Sequence, residues 1–192
     1  YIPHFMSWVV AASIFSMILS PTSAGLVNDV LMKLHLITDN IYFLGDQKWW
    51  RFSYYIINVW KDTGWGTIIF MATLAGISPE LYEAASMDGA NRFQKMIYIT
   101  LPALNNTIVT VLVLNLAKVM NLFESVFVLQ NDAVIKVSDV LQTYIYTQTF
   151  NSGAIPDYGY TTAVGMFSSI ISCILVLVCN RVSHKTRGRG IV

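Results

Sequence analysis

Two sets of residues interrupt an otherwise apolar chain. One is the run Glu83-Ala84-Ala85-Ser86-Met87-Asp88-Gly89, followed by Ile99-Thr100-Leu101-Pro102. The other is a group of polar residues inside an apolar segment: Asn115, Lys118, Asn121 and Glu124. The second group suits recognition chemistry. Amides, a carboxylate and a cation can replace water at the hydroxyls of a carbohydrate, and Phe123, Phe127 and Trp60 offer aromatic faces. A charge at this depth in lipid is costly and faces a bundle interior or a water-filled cavity. On one helix, Asn121 lies about 60° from Lys118 and Glu124 about 60° further, with Asn115 about one turn below. The four therefore form an oblique ribbon, read as the lining of a translocation path with Lys118 near mid-span. Lys118 also suits an acidic sugar such as a uronate. The structural alternative is an ion pair, Lys118 with Glu124 or with a partner chain. Lys61-Asp62 is a weaker polar patch, either an interfacial helix start or a residue pair facing protein or water.

Other chemistries lack their residues. The histidines His4, His35 and His184 have no metal-ligand spacing, and Cys173 and Cys179 share one apolar run and face different ways on a helix. The spans carry no nucleophile or metal set, which argues against an intramembrane enzyme. No GxxxxGK[ST] phosphate loop is present, so any ATP the system uses is bound by another chain. A net charge of +1 gives no basic field for nucleic acid.

The elements that must position these residues are membrane spans. The 192-residue chain is 55% hydrophobic and 12% charged, with mean hydropathy +0.54, against about 25% charged residues in soluble domains. Four apolar runs are expected to cross a bilayer: 3–19, 53–77, 103–129 and 159–180. The first is at the short end of the about 20 residues needed. Asn28 to Leu36 suggests a short amphipathic helix. Tyr42, Phe43, Trp49 and Trp50 read as interfacial anchors. The second span contains Lys61-Asp62-Thr63-Gly64, so its helix proper is expected to begin near Gly64 unless that patch faces protein. Ser78-Pro79 marks a helix start. Gly153 and Pro156 break the segment before the fourth span, in which Thr161, Gly165, Ser169 and Cys173 form a small-residue stripe suited to helix packing.

The basic tail 181–192 sets orientation. With the tail cytoplasmic, the segment 78–102 is cytoplasmic and the loops 20–52 and 130–158 are external. The external loops would either meet a binding protein or pack as a lid over the spans. Six Lys/Arg then lie inside (92, 95, 181, 185, 187, 189) and four outside (33, 48, 51, 136).

The segment 78–102 reads as a helix–turn–helix. Pro79 to Met87 forms the first helix, Asp88-Gly89 breaks it, and Asn91 to Tyr98 forms a second that ends at Leu101-Pro102. Small Ala84, Ala85 and Gly89 keep one face low enough to sit in a groove, and Arg92 and Lys95 remain for carboxylates. The order Glu83-Ala84-Ala85, three residues, Gly89, nine residues, Ile99-x-Leu101-Pro102 resembles the signature loop of the integral-membrane permeases of bacterial binding-protein-dependent ABC importers. Trp60-Lys61-x-x-Gly64-Trp65 and Tyr82-Glu83-Ala84-Ala85-x-x-Asp88-Gly89-Ala90 resemble the carbohydrate subfamily, especially permeases for complex oligosaccharides.

The resemblance extends over most of the chain. It implies an all-α integral membrane protein: a bundle of transmembrane helices with a cytoplasmic coupling helix, here a fragment with about four of six or more spans. It implies that Glu83, Ala84, Ala85, Asp88, Gly89 and Arg92 dock on an ATPase subunit, with Glu83 nearest to it and Gly89 shaping the turn. It implies a second homologous permease subunit, two ATP-binding subunits holding ATP and Mg, and an extracytoplasmic solute-binding protein in a bacterial plasma membrane. No cofactor is expected on this chain. Two alternatives are a permease of the same kind for a non-sugar solute and an ion-driven secondary transporter. The latter would need buried carboxylates and broken helices in paired repeats.

Overall fold

The computed structural model describes residues 1–22, 24–151 and 157–187, without side chains for 182–187. Gly153, Pro156 and Arg189, named above, lie outside the described residues. The described residues form helices and connecting turns, with no strand.

A 3₁₀ turn over Ile2–Phe5 precedes α1 (Trp8–Ile18). The first expected span is thus divided at Met6-Ser7, because Ser7 takes the N-cap position and its hydroxyl accepts from Val10 N–H at 3.3 Å. α2 (Leu26–Lys33) lies beyond it.

α3 (Gln47–Ala75) is a single helix of 29 residues, about 44 Å long. It begins at Gln47, capped by Asp46, and not near Gly64. Lys61-Asp62 does not interrupt it because both side chains find partners, described below. Lys61 is its middle residue, about 21 Å from either end.

α4 (Pro79–Met87), α5 (Arg92–Lys95), a π turn over Met96–Thr100 and α6 (Leu101–Val119) follow. Helix is continuous from Arg92 to Val119, 28 residues. The expected boundary at Pro102 is absent. Pro102 has no N–H to give, and the π turn shifts the hydrogen bonding by one residue, with Leu101 N–H bonding to Met96 O.

The expected third span, 103–129, is broken at Met120–Phe123, between α6 and α7 (Glu124–Leu129). Side chains take over the hydrogen bonding there. Asn121 Nδ2 donates to Ala117 O at 3.3 Å, and Gln142 Nε2 donates to Met120 O at 3.3 Å. α8 (Ile135–Ser138), α9 (Leu141–Phe150) and α10 (Tyr158–Arg187) complete the order.

The core gathers at the α3 N-terminal end. Trp50, Tyr54 and Ile57 pack with Ala12, Leu44, Val126, Leu129 and Val134. Trp50 donates its indole N–H to Leu129 O at 3.0 Å, and Tyr54 shares a hydrogen bond with Ser125 at 2.9 Å. Trp50 and Phe43 are therefore buried residues, not the interfacial anchors expected from composition; Trp50 bonds to Leu129 of α7, 79 residues away, and Phe43 packs against Trp49 and its carbonyl accepts from Ser53.

The two long loops close over this end as a lid. Gln47 Nε2 bonds to Ala133 O at 3.1 Å, Arg51 Nε to Val137 O at 3.1 Å, and Asn131 Nδ2 to Leu44 O at 2.7 Å. Fully buried Asn28 donates to Ser20 O and Ile41 O, and accepts from Ile41 N–H, each at 2.9 Å. Tyr144 and Tyr160 share a hydrogen bond at 3.3 Å, which holds the Tyr144 phenol above its ordinary value.

α6 packs against α3 and α10. Thr73 and Thr107 join α3 to α6 at 2.8 Å. On α10, Thr161 and Ser168 are buried while Ser169 and Cys173 are exposed. The expected stripe at intervals of four thus drifts off the buried face, since 3.6 residues make a turn.

Candidate functional site

Two sites emerge, about half the length of α3 apart. The first is a cleft of about 220 Å³ between α3, α6 and the Ile2–Phe5 turn. Asp62, Trp65, Gly66 and Ile69 line it from α3, Val111, Leu114, Asn115 and Lys118 from α6, and His4 from the turn. The spacing explains the lining: 62, 65, 66 and 69 form one face of α3, and 111, 114, 115 and 118 one face of α6.

Of the four residues placed on one ribbon, Asn115 and Lys118 reach this cleft. Asn121 and Glu124 do not line it, because the helix breaks between Lys118 and Glu124. Asn121 Oδ1 instead accepts from Gln142 Nε2 at 3.3 Å, and Glu124 begins α7. Lys118 lies in the last turn of α6, not mid-helix. A cation there is favoured by the unpaired carbonyls of the helix C-terminus.

His4 and Trp65 line the cleft without being expected there from the sequence, and Asp62 enters it from the weaker Lys61-Asp62 patch. The His4 imidazole lies 3.3 Å from Asp62 Oδ1 and stacks on Trp65 at 4.7 Å between centroids and 14° between planes. Tyr1 also stacks on Trp65, at 6.1 Å. Gly64 permits this approach, since a Cβ there would stand 2.4 Å from Tyr1 N. The signal was the i, i+3 spacing of Asp62 and Trp65; nothing local pointed to His4, 58 residues from Asp62. Phe123, Phe127 and Trp60, the aromatics first considered, do not line the cleft. Phe123 and Phe127 stack on each other at 5.0 Å, and Trp60 meets Phe15 at 5.1 Å.

The second site is the α4–α5 helix–turn–helix. Ser78 caps α4 through Glu80 N–H at 3.3 Å. Gly89 makes the turn with φ +79°, in the left-handed region that favours glycine. Ala90 N–H bonds to Ala85 O at 2.9 Å and Gly89 N–H to Ser86 O at 3.1 Å, a Schellman closure. Asn91 and Gln94 then form a capping box for α5. Lys95 Nζ donates to Ser86 Oγ at 2.6 Å, and Tyr82 shares a hydrogen bond with Thr100 at 2.9 Å, stapling the two helices. Glu83, Ala84, Asp88, Gly89 and Arg92 are exposed, and Ala85 is half-buried. Met87 and Phe93 flank them, 89% and 65% exposed. This is a rigid knob with an unpartnered apolar and charged face.

Among the described residues, two helices are long and apolar enough to cross a membrane, Arg92–Val119 and Tyr158–Arg181. No group of metal-ligating residues occurs among the described residues.

The structure thus sets a polar cleft between α3 and α6 on the same helical frame as an exposed helix–turn–helix knob. Residues 1–188 match the binding-protein-dependent transport system inner membrane component family, and the chain belongs to it. Among its relatives is Protein LplB of Bacillus subtilis (strain 168), 40% identical over 192 residues, covering 100% of this chain and 58% of LplB. Another is the polygalacturonan/rhamnogalacturonan transport system permease protein YteP of the same organism, 39% identical, with the same coverage of 100% and 58%. Among solved structures, a bacterial ABC transporter involved in the import of the acidic polysaccharide alginate superimposes with a TM-score of 0.90 at 36% identity. That match covers 97% of this chain and 64% of that one. The alginate transporter in complex with an alginate pentasaccharide-bound periplasmic protein gives a TM-score of 0.91 at 35% identity, covering 100% and 65%. The chain thus spans less than two thirds of these relatives.

Proposed function

We propose that this chain is the membrane-spanning subunit of an ATP-driven importer of oligosaccharides, that the cleft is part of the substrate path, and that the α4–α5 knob docks on an ATPase subunit. The observation that carries the proposal is the pairing of the two sites on one frame. A cleft lined by an aromatic ring, a carboxylate, an amide and a cation sits midway along α3, and a capped, exposed knob follows the end of α3. A carbohydrate presents hydroxyls and apolar ring faces, and that lining answers both. Lys118 favours an acidic sugar, in keeping with the polygalacturonan/rhamnogalacturonan and alginate systems among the similar proteins.

The proposed assembly pairs this chain with a similar permease subunit, two ATP-binding subunits inside and a solute-binding protein outside. ATP and Mg would be held by the ATP-binding subunits, and this chain is not itself an enzyme. Asn121 and Glu124, above the cleft, would belong to its upper approach.

Two substitutions test the two sites in the assembled importer in vesicles. Gly89→Val forces a β-branched residue into a positive φ, costing about 1–2 kcal/mol or more locally. It should leave the subunits in the membrane but uncouple ATP hydrolysis from uptake. Lys118→Ala with Asn115→Ala should weaken apparent affinity for a uronic-acid oligosaccharide by about tenfold or more, on the scale of a lost charged hydrogen bond. Normal uptake by Gly89→Val, or unchanged affinity and rate in the path variants, would reject the respective assignment. Uptake that persists without ATP but needs an ion gradient would favour a secondary carrier.

A further inference from the structure

Lys61 is the residue that neither site uses. It is 5% exposed at the midpoint of α3, a depth at which a cation needs a partner. Among the described residues no carboxylate pairs with it; the adjacent Asp62 is engaged by His4 instead. Its ammonium donates to the backbone carbonyl of His4 at 3.1 Å and lies 5.0 Å from the centre of the Trp8 ring. Those partners stand on opposite sides of the break at Met6-Ser7, one in the Ile2–Phe5 turn and one in the first turn of α1. The carbonyl it occupies belongs to the residue whose imidazole meets Asp62 and stacks on Trp65. α3 therefore grips His4 twice from neighbouring positions, by its backbone from Lys61 and by its ring from Asp62.

We propose that Lys61 is a positioning residue for the cleft: it clamps the Ile2–Phe5 turn against α3, so that His4 forms a fixed wall of the cleft and stays paired with Asp62. The role in transport rests on the reading of the cleft as a substrate path; the clamp itself does not. Three consequences set this apart from simple packing. The effect depends on a donor at position 61, so arginine, which can also donate to a carbonyl and lie on an indole, replaces lysine. Methionine matches its bulk but cannot donate. Loss of the clamp also opens the cleft locally and leaves the lid undisturbed.

Gly66 supplies a probe that does not depend on substrate. It lines the cleft, and a Cβ at its position meets nothing within 4 Å, so Gly66→Cys fits without strain. In the full-length chain in open membranes, with Cys173→Ser and Cys179→Ala, the rate of Gly66→Cys modification by a water-soluble methanethiosulfonate reports access to the cleft. Lys61→Met should raise that rate by about tenfold, the scale of one charge-assisted hydrogen bond. Lys61→Arg should restore it, and Lys136→Cys on the lid should react at one rate in every background. His4→Ala should raise the Gly66→Cys rate as Lys61→Met does, and the double variant no further. An unchanged rate in Lys61→Met, or failure of arginine to restore it, overturns the clamp. Should Lys61→Met not reach the membrane, Trp8→Leu and His4→Ala take its place, and unchanged rates in both overturn it equally. Failure of the importer reading would appear as ATP-independent uptake, a result to which the labelling rates are indifferent.

Discussion

Single side chains hold this fold where backbone alone cannot. Asn28 is the strongest case, a fully buried amide that satisfies the Ile41 N–H and the Ser20 and Ile41 carbonyls across the lid. Replacing it with alanine strands these groups. The expected cost of about 3 kcal/mol corresponds to a fall of about 9 °C in Tm, read by thermal unfolding of the purified protein in detergent. A fall of under about 2 °C would mean that the stranded groups find other partners. Asn28 was not legible as a tie from its own neighbourhood, where it reads as one polar position on a short amphipathic helix. Gly89 was legible, because a glycine after a run of strong helix formers has a local reason to be there. The difference is general. Turn and cap chemistry is written in adjacent residues, whereas Asn28, Trp50 and His4 take their roles from groups 8 to 79 positions away.

At the level of elements, the knob and the lid differ in how they are held. The lid shares the core of Trp50, Tyr54 and Val126. The knob is fastened by caps and by two side-chain links, Lys95 to Ser86 and Tyr82 to Thr100. Removing both links with Lys95→Met and Tyr82→Phe should speed amide hydrogen exchange across α4 and α5 by about tenfold, the equivalent of about 1.4 kcal/mol. Exchange in α7 and α8 should not change. Equal acceleration at both ends would show that the knob is not an independent unit. The helices of the knob could be read from Ser78-Pro79, Asp88-Gly89 and the capping residues. The break after Val119 could not, because Met120-Asn121-Leu122-Phe123 contains neither glycine nor proline. Its support, the Gln142 side chain, arrives from α9.

For the whole molecule, direction follows from path. α6 rises from the knob, α7 and α8 join the lid, and α10 leaves the lid at Tyr160 and runs back along α6. Its basic residues Arg181, Lys185 and Arg187 therefore head toward the end that carries Arg92 and Lys95. A shared cytoplasmic side for both predicts that a fluorescent protein fused to the C-terminus will fluoresce, and that an alkaline phosphatase fused there will be inactive. The reverse pattern would invert the topology. Apolar run length and charge placement were enough to read a helical membrane bundle. They did not show that only two of the described helices are long and apolar throughout, because α3 carries at its centre Lys61, buried against His4 and Trp8, and Asp62, exposed beside the His4 ring. The unbroken helix from Arg92 to Val119 has a mechanical meaning as well. It is a stiff lever about 42 Å long. A tilt of about 5° at the knob moves the Lys118 end by about 4 Å. In the proposed importer, small strokes at the knob would be delivered to the Lys118 side of the cleft, where the straight helix ends and Gln142 of α9 holds the Met120–Phe123 break.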